Sequence, residues 1–574
     1  MNDYTNTHLD AVMTADRKII IGVDFGTTFS GVAWAESQKP DRIEVLRVWP
    51  NHTGRDESSG KVPTKLRYTD DGGFEWGFQI SPDAPRDDIL EHFKLGLDPE
   101  HLQEDSRLTK GNLLGQDIDK LVTDYLTGLG THIMQHFRRR FGDVIVDTTP
   151  FQFVLTMPAI WSDRAKQRTV DAFERAMGAP GANLLIAISE PEAAATCVLQ
   201  RMSRHDLKKD DCLIVVDAGG GTVDLISYRI KAHHPSLEVS EAAQGSGGTC
   251  GGAFLNDRFE QMLRQTLGQE DGFDNRMVSQ SLSKWERIQV KRRFAMADLP
   301  NQQYTFPVHG LEDNKDLRIR RNNWTVTATD VFRIFDGIIL QVLKLVTDQR
   351  VATQVDIKAI LLVGGFGQSM YLRERLEAHV GKGIPVLQPD NAWTAVVEGA
   401  VMKGLAQVNP ERAAVMKVID RKARKHYGFE LSIAYNHLVH AQLESKRRWD
   451  NYHARWEVDV MQWFIRKGDP VTESQPFTRD FAMISRVNWG RPTVVMLTIL
   501  SDKDSDIAPL AKNDNVKTLC FVEADLSHIP DDQIPQYHGV DGMMYYVIDC
   551  QIEICSYTLV HNGQRYNTVS AELV

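Results

Sequence analysis

The sequence predicts an α/β protein of two similar lobes that face each other across a cleft, followed by a smaller β-rich domain. The bend of one apolar hairpin starts at Asp24, and the bend of a second hairpin starts at Asp217. The same pattern of strand, glycine bend and strand therefore occurs twice, at a spacing of about half a domain. Such a repeat indicates two related α/β halves. The chain then changes to alternating segments such as WEVDVMQWFI and PTVVMLTIL, which are typical of β-strands.

Length and composition are those of a multidomain globular protein. The chain has 574 residues, of which 42% are hydrophobic and 25% are charged, and its formal net charge is −11. A single hydrophobic core does not grow to this length, so we expect several domains. The acidic balance gives no electrostatic basis for binding nucleic acid or an anionic membrane surface, and we predict neither partner.

The sequence also predicts a compartment. No apolar run approaches the roughly 18 residues of a membrane-spanning helix, and the N-terminal residues are polar and acidic, unlike a signal peptide. None of the six cysteines forms a CxxC pair, which favours buried thiols in a reducing environment. We therefore expect no membrane span and a cytoplasmic protein, with access to the nucleus.

The bends of the two hairpins carry residue types that bind phosphate. Glycines let backbone N–H groups approach phosphate oxygens closely. The hydroxyl groups of Thr27, Thr28 and Thr222 can donate to the same oxygens. The carboxylates at the strand ends, Asp24 and Asp217, can hold the hydration shell of Mg²⁺. Ordinary hairpin turns also contain Gly and Asp, and either hairpin alone would favour that simpler interpretation.

Further glycine segments strengthen the nucleotide hypothesis. Gly364 to Gly367 join a buried strand to a helix, where an adenosine could lie flat with Phe366 near its ring. The run GSGGTCGG at 245–252 either closes over the nucleotide or forms a flexible loop. GRDESSGKV at 54–62 has five residues between its glycines and Val after its lysine, so it does not match a P-loop.

These motifs resemble the ATPase domain of the heat shock protein 70 family. The resemblance covers residues 19–35, 151–196, 212–230, 357–379 and 386–404, in the family's order and spacing. It implies a two-lobed actin-like ATPase, an α/β fold with ribonuclease H-like duplicated halves around a deep cleft. It also implies ATP or ADP with Mg²⁺ as bound cofactors.

The resemblance assigns roles to individual residues. SEPEAAA is similar to the family's Glu-Pro-x-Ala-Ala-Ala segment, and FKLGL supplies the matching lysine. The implied catalytic residues are Lys94, Glu190, Asp217 and Asp24, and the implied metal residues are Asp24, Asp217 (through water) and Asp224. The implied nucleotide-binding residues are Gly26, Thr27, Thr28, Gly219, Gly220, Gly221, Thr222, Gly251, Gly252, Lys291, Arg292, Gly364, Gly365, Phe366 and Asp390.

Some positions depart from the family pattern. Phe366 and Gln368 stand where the family usually has Ser and Arg, and Ile288 stands where a glutamate is expected. The sequence shows neither a hydrophobic-acidic interdomain linker nor a long helical lid. These features are similar to those of the divergent heat shock 70 kDa protein 12 branch.

The resemblance also sets the expected domain bounds. We expect a flexible leader at 1–17, an actin-like ATPase domain at 18–408, a linker at 409–426 and a β-rich domain at 427–574. Within the ATPase domain, lobe I is expected at about 18–210 and lobe II at about 211–385, with a return to lobe I at 386–408.

Three functions fit this sequence. The first is slow ATP hydrolysis that drives a chaperone-like conformational switch, coupled to a C-terminal domain that binds a protein client or partner, with co-chaperones. The second is a nucleotide-binding scaffold or sensor with negligible turnover. The third is a small-molecule kinase of the same superfamily, for which we find no second-substrate signature.

Overall fold

A computed structural model of the chain describes most of its residues. The described residues are 17–99, 113, 115–177, 184–201, 207–234, 236–287, 290–410, 415–472, 477–527, 529–553, 558–561, 564–566 and 569–573. The chain divides into two compact units, Met1–Lys417 and Val418–Val574. This division falls within the segment 409–426, for which the sequence predicts a linker. Of the predicted leader, all but Arg17 lies outside the described residues.

The first half of the first unit is built around one main mixed sheet and also contains two smaller sheets. Its strands are β1 (Ile19–Asp24), β2 (Phe29–Glu36), β3 (Glu44–Val45), β4 (Val48–Pro50), β5 (Asp56–Ser58), β6 (Val62–Pro63), β7 (Lys65–Tyr68), β8 (Phe74–Trp76), β9 (Leu90–Glu91), β10 (Phe151–Met157) and β11 (Leu184–Ser189). Its helices are α1 (Ile118–Phe141), α2 (Asp143–Thr148), α3 (Asp163–Met177) and α4 (Glu190–Arg201). The main sheet has the order β11-β10-β1-β2-β3.

The second half repeats this plan. Its strands are β12 (Cys212–Ala218), β13 (Val223–Ala232), β14 (Glu238–Gly248), β15 (Gln303–Pro307), β16 (Ile319–Arg320), β17 (Asn323–Thr327), β18 (Ile357–Val363) and β19 (Val386–Leu387). Its helices are α5 (Ala253–Leu267), α6 (Asn275–Arg287), α7 (Val290–Arg293), α8 (Ala328–Thr353) and α9 (Met370–Val380), and α10 (Ala395–Val408) follows. The strands β19-β18-β12-β13-β14 lie side by side in that order.

The same pairing pattern positions the two hairpins. β1 runs antiparallel to β2 and parallel to β10, and β12 runs antiparallel to β13 and parallel to β18. Every residue of β1 and of β12 is buried, as their continuous apolar runs predict for strands covered on both faces. Each half has its own hydrophobic core. The repeated topology therefore places the bends after β1 and β12 at equivalent positions.

The second unit consists mainly of strands in its described residues. They are β20 (Lys417–Lys422, whose first residue belongs to the first unit), β21 (His426–Ala434), β22 (Arg448–Asp450), β23 (Arg455–Ile465), β24 (Pro470–Val471), β25 (Thr478–Arg486), β26 (Val494–Asp502), β27 (Lys517–Asp525), β28 (Gln536–His538), β29 (Met544–Glu553), β30 (Thr558–His561), β31 (Gln564–Tyr566) and β32 (Val569–Leu573), with one short helix, α11 (His437–His440). One sheet has the order β22-β23-β21-β26-β27-β32, and another has β25-β29-β30-β31. Within the ranges given above, no helix combines the length and the apolar character needed to cross a bilayer.

A close contact between helices holds the first half together. A Cβ at Gly399 in α10 would overlap the carbonyl oxygen of Ala193 in α4. Glycine at this position lets the two helix backbones touch, and α10 also packs on β1, which carries Asp24 at its end. The helix contact therefore supports the strand that leads into the first bend.

Replacement of Gly399 by valine should destabilise the first unit. Extra methyl groups in a packed core cost about 1–3 kcal/mol, and here they would push against backbone. We expect Gly399→Val to lower the thermal unfolding midpoint, measured by scanning calorimetry. Gly383→Val is the matched control, because a Cβ at Gly383 would meet nothing within 4 Å. Equal midpoints for the two variants would contradict the close helix contact.

Candidate functional site

A cavity of about 1210 Å³ lies in the first unit and is lined by residues of both halves. The bends after β1 and β12 and the turn after β18 all reach it. Each segment follows the carboxyl end of a sheet strand, β1 in the first sheet and the neighbouring β12 and β18 in the second. Open α/β sheets bind their ligands at this end of the strands. The topology therefore brings the three glycine segments to one place.

The two hairpin bends lie against each other at this cavity. A Cβ at Gly221 would lie 2.5 Å from Thr27 Oγ1, and a Cβ at Gly220 would overlap the hydroxyl of Thr28. Any side chain at these glycines would fill the space in front of the threonine hydroxyls. The hydroxyls and the glycine backbone therefore share one polar concavity, a type of structure that binds anions such as phosphate.

The glycine run at 245–252 packs on the second bend. The N–H groups of Gly251, Gly252 and Ala253 donate to the carbonyl oxygens of residues 219–221 at 2.8–3.1 Å. A Cβ at Gly251 would overlap the carbonyl group of Gly220. The end of the run therefore supports the bend and leads directly into α5.

Asp24 is paired with a buried lysine that the sequence analysis did not assign to the site. Lys61 Nζ donates to Asp24 Oδ2 at 2.5 Å, and Thr156 Oγ1 donates to Asp24 Oδ1 at 3.4 Å. The stem of Lys61 crosses Gly31, where a Cβ would lie 3.2 Å from two of its carbons. The missing side chain of Gly31 thus makes room for a lysine that is only 7% exposed.

Lys94 and Glu190 form the second buried ion pair of the site. Lys94 lies in the short 3₁₀ turn Phe93–Leu97, Glu190 begins α4, and Lys94 Nζ donates to Glu190 Oε1 at 2.7 Å. The same Nζ lies 5.1 Å from the ring centre of Trp161, which helps to position it. Burial raises the pKa of Glu190 to about 7, although Lys94 opposes this shift. A carboxyl group with this pKa can exchange a proton at neutral pH.

Two further carboxyl groups face each other on the second hairpin. Asp217 on β12 is the register partner of Asp224 on β13. Burial, followed by repulsion from Glu190, Asp224 and Asp24, holds the pKa of Asp217 well above its ordinary value. Asp224 Oδ1 accepts a hydrogen bond from the N–H of Ala159 at 2.9 Å, whereas Oδ2 is buried with no hydrogen-bond partner in the described part of the chain.

This donor set fits a hydrated Mg²⁺. Four carboxyl groups gather near two lysines, so with all four ionised two negative charges are left over. Mg²⁺ prefers oxygen ligands and retains several waters. The unpartnered Oδ2 of Asp224 could accept a hydrogen bond from such a water. A divalent cation would also relieve the repulsion that raises the pKa of Asp217.

The turn after β18 contacts the second hairpin. Gly364 has φ +84°, and a Cβ there would overlap Asp217 Oδ1. A Cβ at Gly365 would lie 3.5 Å from the indole nitrogen of Trp393. Both glycines thus lie directly against side chains of the cavity lining, and Gly364 also needs a backbone conformation that other residues rarely adopt.

Most of the residues assigned from the sequence line the cavity. They are Asp24, Gly26, Thr27, Thr28, Lys94, Glu190, Asp217, Gly219, Gly220, Gly221, Thr222, Gly252, Lys291, Arg292, Gly364, Gly365 and Phe366. Gly251, Asp224 and Asp390 are not among the lining residues. Asp224 is buried behind Asp217, Gly251 supports the second bend, and Asp390 is exposed on the surface. Ile288 lies outside the described residues.

The aromatic side chain next to the third turn differs from the one that the sequence suggests. Phe366 is only 4% exposed and belongs to the hydrophobic core of the second half. Trp393 instead presents its ring beside the turn, partly exposed. The chain turns Phe366 inward because an apolar ring at the start of a buried turn gains more by joining the core.

Sequence reasoning missed several residues of the lining, of which Lys61 and Trp393 matter most for the site. Lys61 lies in the glycine-containing segment 54–62, which resembles a P-loop without matching it. This local pattern is typical of a different fold and gave no reason to assign Lys61 to the site. Trp393 lies in the segment QPDNAWTAVVEGA, whose resemblance to the family draws attention to Asp390. Both residues reach the site through contacts that are distant in sequence.

Comparisons with known proteins identify the family. The sequence profile of a family described as Hsp70 protein matches residues 125–419, which is more than half of the chain. The chain therefore belongs to the Hsp70 family, and the resemblance predicted from its motifs is confirmed. A family described as a domain of unknown function (DUF8568) matches residues 421–537. Membership of the Hsp70 family implies a two-lobed α/β fold of the actin-like type and indicates ATP binding.

Individual relatives cover most of the chain. Human heat shock 70 kDa protein 12A is 23% identical over 92% of this chain and 88% of its own length. Human heat shock 70 kDa protein 12B is 23% identical over 82% of this chain and 79% of its own length. The chaperone protein DnaK of Thermotoga petrophila is 25% identical over 68% of this chain and 61% of its own length.

Loss of the Lys61 charge should change the binding of metal and of nucleotide in opposite directions. Lys61→Met frees the Asp24 carboxylate, so the Mg²⁺ concentration that half-saturates metal binding should fall. The lost positive charge also weakens attraction of the triphosphate, so metal-free ATP should bind more weakly. A unit charge at about 4 Å near a protein surface is worth several kcal/mol, so each effect should be at least about tenfold.

Titration calorimetry with Mg²⁺ alone and with ATP in chelator measures both effects. Lys39→Met is the control, because Lys39 is exposed and forms a long surface ion pair with Glu36 at 3.4 Å. Two effects of the same sign would indicate general damage and contradict the proposed charge balance.

Proposed function

We propose that this protein binds Mg-ATP and hydrolyses it slowly, and that hydrolysis drives a chaperone-like conformational switch coupled to a C-terminal protein-interaction domain. The observation that carries the proposal is the contact of the two hairpin bends, Gly220 and Gly221 against Thr28 and Thr27. Beside them lie three buried carboxyl groups and the partly buried Glu190. This arrangement offers hydrogen-bond donors for phosphates and oxygens for a metal in one cavity. Family membership supports ATP as the nucleotide.

Different residues of the cavity bind the phosphates and the hydrated metal. Thr27, Thr28 and the backbone of the glycine bends hold the phosphate oxygens. Asp24 and Asp217 orient water molecules around the metal position, and Asp224 supports them from behind. When bound, Mg²⁺ would neutralise charge on the β- and γ-phosphates. Phosphoryl transfer depends mainly on such positioning and charge neutralisation.

Glu190 and Lys94 are the groups that can act on the attacking water. Hydrolysis joins a water oxygen to the γ-phosphorus, breaks the bond to the β-phosphate oxygen, and releases ADP and phosphate. Glu190, with its pKa near 7, can take the proton that the water loses. Lys94, held at 2.7 Å from Glu190, places positive charge beside the γ-phosphate. Lobe closure would exclude bulk water from this step.

A contact between the two halves supports a switch. Arg86 in the first half pairs with Glu260 on α5 of the second half at 2.7 Å, and both line the cavity. A ligand that binds the closed arrangement more tightly shifts the population toward it. We propose that the β-rich C-terminal domain reads this state and binds a protein client, with co-chaperones, in the cytoplasm and the nucleus. The repeated sheet order supports a ribonuclease H-like duplication of the halves.

One observation favours a scaffold or sensor with negligible turnover as a second candidate. Lys61 already occupies Asp24 Oδ2, an oxygen that a hydrated metal would otherwise use. A metal held less firmly would still permit nucleotide binding while slowing hydrolysis. Turnover measurements separate the two candidates.

Phosphate release from Mg-ATP tests the proposed function. Wild type should release phosphate without any added acceptor, and Asp217→Asn and Lys94→Ala should each lose about a hundredfold or more, the usual cost of one preorganised electrostatic group. Asp271→Asn and Lys382→Ala, at exposed positions, are the matched controls.

Phosphate release by wild type at the level of the two site variants would contradict hydrolysis. ATP-dependent stabilisation against heat without release would then support the scaffold.

A further inference from the structure

The indole of Trp393 forms a flat wall of the cavity. Its ring meets the ring of Phe29 at 75°, with 5.8 Å between the centres. One edge borders Gly365, and the opposite edge borders Gly60, where a Cβ would lie 3.7 Å from the indole carbons. Two glycines and a perpendicular aromatic ring thus fix the plane of Trp393. A fixed aromatic plane in a ligand cavity is a stacking surface.

Arg292 covers one face of this ring. Its guanidinium carbon lies 5.3 Å from the ring centre, and both residues line the cavity. A flat group inserted between them needs about 7 Å, which is two stacking layers. The side chain of Arg292 is exposed and flexible, so its guanidinium group can move away from the ring until the separation increases from 5.3 Å to about 7 Å. The guanidinium would then lie on the far side of the inserted group.

Other polar side chains of the cavity lining are already engaged in hydrogen bonds. Asn256 Oδ1 accepts from Lys291 Nζ at 3.0 Å and from Trp285 Nε1 at 3.1 Å. The amide nitrogen of Asn256 donates to Glu286. With these groups occupied, stacking is the stronger means of holding a base here than hydrogen bonds from Asn256.

We propose that Trp393 stacks on the base of the bound nucleotide and thereby sets the affinity for the nucleoside part. The inference rests on the proposed nucleotide function. In the proposed function the phosphates lie at the hairpin bends, and Gly364 of the turn after β18 contacts Asp217 of the second hairpin. The next residue of the same turn, Gly365, borders Trp393, so a nucleotide that extends along the turn brings its base to the indole. Trp393 is then a specificity-determining residue rather than a catalytic one.

The test compares a probe that has a base with a probe that has none. Binding of ATP and of ribose 5′-triphosphate, each with Mg²⁺, is measured by calorimetry on the full chain. Loss of a base–aromatic stack costs about 1–3 kcal/mol. Trp393→Ala should therefore weaken ATP by about fivefold to about a hundredfold and leave ribose 5′-triphosphate unchanged. Trp393→Phe keeps a ring and should lose less. Trp489→Ala, an exposed tryptophan in the second unit, should change neither affinity.

The effect of Trp393→Ala on the two probes separates the stacking role from a structural role and from failure of the proposed nucleotide function. Equal weakening of both probes by Trp393→Ala overturns the stacking role and indicates that the indole only supports the fold near the phosphates. Unchanged ATP binding by Trp393→Ala overturns the stacking role while the proposed nucleotide function stands. Wild type that binds neither probe overturns both proposals.

Discussion

The structure of the site depends on four carboxyl groups around one cavity, of which three are buried and one, Glu190, is partly buried. Burial and mutual repulsion raise the pKa of Asp217 and of Glu190, so the unliganded site is electrostatically strained. Lys61 and Lys94 each relieve part of this strain through a short ion pair. A buried ion pair adds little net stability, whereas an unpaired buried charge is costly. This charge surplus makes the site suited to a divalent cation with a polyphosphate.

The repeated fold makes that concentration of charge possible. Two sheets with the same strand order bring the ends of β1 and β12 together. β1 ends in Asp24, and β12 carries Asp217 one residue before its end. Glycines at the bends then remove the side chains that would fill the space between them. The close contact of Gly399 with Ala193 supports the first of these strands from behind. The packing of these two helices therefore contributes to the geometry of the cavity.

Local sequence signals predicted much of this fold and part of the site. Both hairpins are short segments whose glycines and apolar strands can be recognised without knowing their neighbours, and the family resemblance is confirmed. The pairing of Lys61 with Asp24 depends on a contact over 37 residues and on the space above Gly31, which no local pattern encodes. Phe366 was expected near the adenosine because of its place beside the glycines; it lines the cavity, but its side chain is almost wholly buried in the core of the second half. The roles assigned to the site residues and the domain bounds stay predictions.

The central claim is that the buried carboxyl groups make nucleotide binding depend on a divalent cation. Calorimetric titration of wild-type protein with ATP, once with Mg²⁺ and once with chelator, tests it most directly. Our account predicts that ATP binds at least about tenfold more tightly with Mg²⁺, since the cation offsets charge at short range. Equal affinity under both conditions would show that the two lysines alone balance the site, and would contradict the account.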